Sequence, residues 1–278
     1  MFEKFKYRIN KLYNILYIKI ENFQLRIFYK NKKNELFNNI IPNNRKFLSG
    51  FNYFLSPTEY EKNDYGIQKR IYKDLNKPIS NYPTYSDLIC LLCKINFSNS
   101  LNYLEIGSSV LKNFLQIKNY IENSNLIAYD INEINPDLKD TFYENKNQNT
   151  TKYFKGDVLN EEDTKDFKNF IKLKFNIIFS DALHEPEAVY SEYENIYKNL
   201  LEDKFIIYYD DLDFPEIKKT VKKIRLDLLK SNETVNFYTF KVYGWIGQYE
   251  KMHLNGILTN INLKEALKDF KLYQFKKI

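Results

Sequence analysis

Asn102-Tyr103-Leu104-Glu105-Ile106-Gly107-Ser108-Ser109 is an apolar run that closes on an acid and a glycine. The next apolar run, Asn125-Leu126-Ile127-Ala128-Tyr129, closes on Asp130, 23 residues after that glycine. The pair predicts two parallel β-strands joined by a helix, a unit that binds an adenosine-containing cofactor at the carboxyl ends of its strands. Glycine at the first tip lets the backbone approach a ligand, and a carboxylate at the second, Asp130, can accept hydrogen bonds from both ribose hydroxyls. An ordinary strand-turn-helix with a buried glycine would carry the same residues, so the motif gains meaning only from the rest of the chain.

Three further runs repeat the pattern. Thr151-Lys152-Tyr153-Phe154-Lys155-Gly156 ends at Asp157, and Phe175-Asn176-Ile177-Ile178-Phe179 ends in Ser180-Asp181-Ala182-Leu183-His184. Lys204-Phe205-Ile206-Ile207-Tyr208-Tyr209 ends in Asp210-Asp211. Between them the spacing turns helical. Val189, Tyr193, Ile196 and Leu200 form one apolar stripe, and Ile217, Val221, Ile224 and Leu228 another, with Pro186 and Pro215 near the two starts. Alternating strands and helices predict an α/β fold with a parallel sheet covered on both faces. Val235 to Val242 and Lys251 to Thr259, on either side of Gly244-Trp245-Ile246-Gly247, read as a closing antiparallel pair.

A dinucleotide site needs three glycines so that a pyrophosphate can rest on bare backbone, and only Gly107 is present. Glu105-x-Gly107 instead resembles the first motif of class I S-adenosylmethionine-dependent methyltransferases, with Leu111 where that family usually has a later glycine. The resemblance covers roughly residues 80 to 260. It implies a Rossmann-like, doubly wound, mostly parallel seven-stranded sheet with a C-terminal antiparallel hairpin. It also implies that Glu105 and the Gly107-Ser108-Ser109 turn hold the methionine portion of the cofactor, Asp130 with Ile131 the ribose side, and Asp157 with Val158 the adenine. Tyr82 and Tyr85 either approach the cofactor edge or pack on the sheet.

If the fourth and fifth strands are neighbours, Asp181, Asp210 and Asp211 meet at their tips, a costly gathering unless a cation joins them; oxygen donors of this kind suit Mg²⁺ or Mn²⁺. Here the resemblance narrows to metal-dependent O-methyltransferases, which place an Asp after strand four and an Asp-Asn or Asp-Asp pair after strand five. Those enzymes carry a basic residue three positions past the first ligand, which is His184 in this chain. A bacterial methyltransferase group and the cephalosporin-hydroxylase-like proteins have D-G-x-H there, and this chain has Asp181-Ala182-Leu183-His184. The resemblance implies methyl transfer from S-adenosylmethionine to a small-molecule or sugar hydroxyl, with a divalent metal on Asp181, Asp210 and Asp211, and with His184, assisted by Asp181, as catalytic base. Two alternatives stay open. One is a metal-independent N- or O-methyltransferase of the same fold; the other is a non-catalytic module that binds anionic membrane or nucleic acid through its amino end.

That amino end stands apart. Residues 1–50 hold eleven Lys or Arg against three acids, a balance of +8 within a chain of net +6. Phe2, Phe5, Ile9, Leu12, Leu16, Phe23, Leu25 and Ile27 interleave with the bases. They make either an amphipathic surface for anionic lipid or nucleic acid, or a packed extension with a solvated basic face that caps the pocket or forms a homo-oligomer contact. Charges recur too often for a membrane span, and no secretory signal pattern is visible. The expected organisation is an extension over 1–76 and a catalytic domain over 77–278. Cys90 and Cys93 sit in an apolar helix pattern preceded by Ser86 as a cap. With no further ligands at zinc spacing they read as buried thiols, and a cytoplasmic location is expected.

Overall fold

The computed structural model describes residues 33–50, 83–97, 101–244 and 252–266, with isolated positions between 6 and 27 and two-residue strands at 57–58, 67–68 and 276–277. The expected boundary at residue 76, Tyr82 and the Trp245-Ile246-Gly247 connection lie outside the described residues.

Seven strands make the main sheet: β1 Asn102–Ile106, β2 Asn125–Asp130, β3 Thr150–Lys155, β4 Phe175–Ser180, β5 Leu201–Tyr209, β6 Asn236–Val242 and β7 His253–Thr259. Their order is β3-β2-β1-β4-β5-β7-β6, with Lys276–Lys277 pairing on the outside of β6. The first five strands run parallel, and β7 enters antiparallel between β5 and β6. This is the doubly wound, mostly parallel sheet with a C-terminal antiparallel hairpin expected from the sequence.

Strand side chains alternate between the two faces, as the pleat requires. Tyr103, Leu126, Ala128, Ile177, Phe179, Ile206 and Tyr208 point to one core, and Leu104, Ile106, Ile127, Tyr129, Ile178, Ile207 and Tyr209 to the other. The first core is covered by α1 (Ile41–Ser49), α2 (Tyr85–Phe97) and α3 (Phe114–Tyr120). The second is covered by α5 (Glu161–Phe170), α6 (Pro186–Ser191) and α7 (Pro215–Leu228); the short α4 (Lys139–Tyr143) lies between β2 and β3 in sequence. Residues 36–49 therefore belong to the same core as the sheet, with Leu36, Ile40, Ile41 and Leu48 buried in it.

Three local details bear on the sequence expectation. Thr84, not Ser86, caps α2: its Oγ1 accepts from the Asp87 N–H while Asp87 Oδ2 accepts from the Thr84 N–H, a reciprocal capping box. Ser86 instead accepts a hydrogen bond from Gln116 Nε2. The helix expected around Val189 to Leu200 is not uniform, because α6 widens into a π turn over Glu192–Tyr197 and tightens over Lys198–Leu200. Cys90 and Cys93 are free and buried in α2, as anticipated.

Candidate active site

Register places the site. Ile106 pairs with Tyr129 and with Ser180, and Ser180 with Tyr209, so the next residues, Gly107, Asp130, Asp181 and Asp210, stand side by side at the carboxyl edge. The switch point of the winding lies between β1 and β4, where a doubly wound sheet opens its crevice. A cleft of about 320 Å³ occupies it. Gly107, Ser109, Asp130, Ile131, Asp157, Val158 and Asp181 line it, seven of the residues anticipated from the sequence, together with Leu159 and Leu183.

Gly107 has φ +84°, and a Cβ there would come within 2.3 Å of the Asp181 carbonyl oxygen and 2.4 Å of Ala182 Cα. The close neighbour that demands glycine is thus the β4 tip itself, besides any ligand. Ser109 (φ +49°) and Leu111 (φ +57°) complete a left-handed turn, so the backbone form for which the resembling family uses glycine is kept here by a buried leucine. Asp130 fastens the turn: its Oδ2 accepts from the Ser109 N–H at 2.6 Å and its Oδ1 from the Asn132 N–H at 2.9 Å. Asp157 accepts from the Leu159 N–H, and its own N–H donates to Asp163. Ile131, Leu159 and Leu183, all more than 40% exposed, give this polar cleft an apolar rim.

Glu105 lies behind the turn. Its Oε2 accepts from Tyr103 Oη at 2.6 Å and Asn113 Nδ2 at 2.8 Å, and burial raises its pKa to about 8. Its Oε1, the Ser108 hydroxyl and Asp181 Oδ2 are buried without a hydrogen-bond partner. The unmet Glu105 Oε1 and Ser108 hydroxyl beside this turn suit a ligand that brings donors, such as an ammonium. Tyr85 does not line the cleft. Its ring packs 5.3 Å from Phe179 and its N–H bonds Tyr243, while burial and then the charges of Asp181 and Asp210 hold its hydroxyl pKa well above the usual value.

Beyond the cleft, Asp181 joins a chain of alternating charge. Lys112 Nζ is 3.6 Å from Asp181 Oδ2, and His184 Nε2 lies 3.8 Å from Asp181 Oδ1 and 3.6 Å from Asp211 Oδ2. His253 Nδ1 closes on Asp211 Oδ1 at 3.1 Å. Asp211 takes a left-handed φ of +51°, which turns its carboxylate toward both histidines. Asp210 Oδ1 accepts from the Asp211 N–H and from Asn255 Nδ2. Desolvation, then Asp181 and Asp211, push its pKa up to about 7. Asp181 is likewise raised by burial, whereas Asp211 is lowered by its hydrogen bond with His253 and by the His184 charge, which outweigh its own desolvation. That same bond raises His253.

Asp181, Asp210 and Asp211 thus reach one edge without converging on one point. Among the described residues, the trio whose ligand atoms lie within 4.8 Å of one another is Asp211, Asp213 and His253. Lys112 is a permanent cation at this edge, 3.6 Å from Asp181 Oδ2, and both histidines lie beside Asp211. Lys112 and His253 were not singled out from the sequence; the available signals were the place of Lys112 five residues after Gly107 and the fact that the chain has only two histidines.

No family model and no curated protein matches the chain. Among solved structures it is similar to the O-methyltransferase from Bacillus cereus in complex with SAH, at 13% identity over 85% of this chain and 95% of that one, TM-score 0.47. It is also similar to the O-methyltransferase TomG from Streptomyces achromogenes in complex with SAM, at 12% identity over 82% and 90%, TM-score 0.47. A third likeness is to spermidine synthase from Thermotoga maritima, at 15% identity over 70% and 65%, TM-score 0.39. At these scores none of them bears on the chemistry of the site, and the chain's own strand order and registers establish a Rossmann-like, doubly wound sheet closed by an antiparallel hairpin.

Proposed function

We propose that this protein is an S-adenosylmethionine-dependent methyltransferase acting on a hydroxyl of a small molecule or sugar. The observation that carries the reading is the cleft at the switch point, with an acid at the β2 tip, orphaned buried acceptors behind the Gly107 turn, and an apolar rim. Asp130 would accept the ribose hydroxyls, Ile131, Val158 and Leu183 would flank the adenine, and Asp157 would take its amine. Glu105 and Ser108 offer acceptors to the methionine ammonium. When bound, the cofactor supplies a methyl group activated by its sulfonium, so the protein needs only to hold a deprotonated acceptor in line.

His184, 39% exposed and 3.8 Å from Asp181 and 3.6 Å from Asp211, would in its neutral form take the acceptor's proton. The proton released as the acceptor oxygen takes the methyl would pass to the His184 ring, with Asp181 and Asp211 beside it. Metal assistance is the second reading, favoured by the gathering of Asp181, Asp210 and Asp211 at adjacent strand tips. Asp181, Asp210 and Asp211 would hold the ion and its Lewis acidity would lower the acceptor's pKa, but their lack of convergence leaves no step to be written through it. A non-catalytic module on the same scaffold is the remaining alternative.

Calorimetric titration with S-adenosylmethionine and S-adenosylhomocysteine, with Mg²⁺ and with chelator, tests the reading. Binding is expected in both conditions, weakened at least about tenfold in Asp130→Ala, the scale of one or two lost hydrogen bonds to a charged group. His184→Ala should bind normally and turn over slowly. Absence of binding in the wild type would overturn the proposal, and turnover abolished by chelator would move the metal reading to first place.

A further inference from the structure

The described residues between 6 and 27 are helical, and among them Ile9, Leu12, Leu16, Ile20, Phe23 and Ile27 step by 3, 4, 4, 3 and 4, so they share one face. Each is between 49% and 66% exposed. At 1.5 Å per residue these members of the stripe span about 27 Å, on the scale of the largest apolar patches of monomers, which are often functional. Tyr17 lies off the stripe, with Lys241 Nζ of β6 5.6 Å from its ring centre, so one flank meets the sheet domain while the stripe stays exposed. The packed-extension reading of this segment therefore does not account for the stripe.

Charge says what covers it. Residues 1–33 hold nine Lys or Arg against Glu3 and Glu21, a balance of +7, so the rest of the +6 chain carries −1. Arg8 and Lys19, four residues before Leu12 and seven after it, border one edge of the stripe and are exposed. A second copy of the helix would bring +7 against +7. A nucleic acid would neutralise the bases and leave the apolar face wet. An anionic bilayer surface, with phosphates over an apolar interior, answers both features, and among the described residues no helix is long and apolar enough to cross a membrane.

We infer that the helical residues described between 6 and 27 act as an in-plane anchor that lays this stripe into the surface of an anionic lipid bilayer, with Arg8 and Lys19 on lipid phosphates. The inference stands independently of the methyltransferase reading. The test is vesicle flotation of the full chain with phosphatidylcholine alone and with added phosphatidylglycerol. The wild type should partition at least about tenfold more strongly onto the anionic vesicles, less so at high salt. The triple variant Ile9→Glu, Leu16→Glu, Phe23→Glu should lose that binding, and Arg8→Glu with Lys19→Glu should weaken it and flatten its salt dependence, both with unchanged circular dichroism. Three outcomes would overturn the inference: no partition of the wild type, partition undiminished in the triple variant, or a stripe-dependent dimer in light scattering that ignores vesicles. RNA binding by the wild type that survives the triple variant, with no vesicle binding, would do so as well.

Discussion

Gly107 illustrates how one residue serves two constraints, a left-handed backbone and a β4 tip passing within van der Waals distance. Gly107→Ala should cost at least about 2–4 kcal/mol in denaturant unfolding, from overpacking and the left-handed penalty together. Gly244→Ala, where nothing lies within 4 Å of the added carbon, should stay within about 0.5 kcal/mol. Glu192 is a second instructive residue. It is fully buried, accepts from the Ser180 hydroxyl at 2.5 Å, and is pushed up to about 8 by burial. Between its ordinary value and about 8 the folded chain keeps a proton the unfolded chain has lost. Stability should therefore fall as pH rises through that window, by at most about 1.4 kcal/mol per unit. Glu105, also raised to about 8, acts in the same direction. Urea midpoints at pH 5 and pH 9 should differ less in Glu192→Gln than in the wild type, and an equal difference would refute the assignment. Neither pH response could be read from the sequence, where Glu192 was one glutamate among many and Glu105 stood out only as a motif acid.

At the scale of elements, α1 and α2 are fastened by a buried carboxylate. Asp87 accepts from Asn44 Nδ2 at 2.8 Å, from Arg45 Nη2 at 2.6 Å and Nη1 at 3.2 Å, and from the N–H and hydroxyl of Thr84. Removing one partner of such a pair strands the other, so Asp87→Ala should lower stability by about 3–5 kcal/mol. The exposed pair Lys219–Glu216 should yield less than about 0.5 kcal/mol to Glu216→Ala, and the same unfolding titration compares the two. The element pattern itself was largely legible: Ile217, Val221, Ile224 and Leu228 are all buried along α7, as their spacing required. The π turn after α6 was not, because an apolar stripe of that spacing tolerates one widened turn and the pull that favours it, Glu192 reaching Ser180 on β4, is tertiary.

For the whole molecule, a ligand that binds only the folded sheet must stabilise it. Saturating S-adenosylmethionine at about a hundred times its Kd should add about 2.7 kcal/mol, which in a domain of this size raises Tm by several degrees in scanning calorimetry. An unmoved Tm would contradict the cofactor site. Sequence alone determined the architecture and the acidic edge. Apolar runs ending in Gly107, Asp130, Asp157, Asp181 and Asp210, with helices between them, can bury both faces of a parallel sheet in one way, which brings their tips together. What only the tertiary structure decided was which basic side chains those acids meet. Lys112 reaches Asp181 through a left-handed turn at Leu111, and His184 and His253 meet across Asp211 from segments 69 residues apart. Charge pairing depends on distances of a few ångströms between residues remote in the chain, and a one-dimensional pattern does not carry such distances.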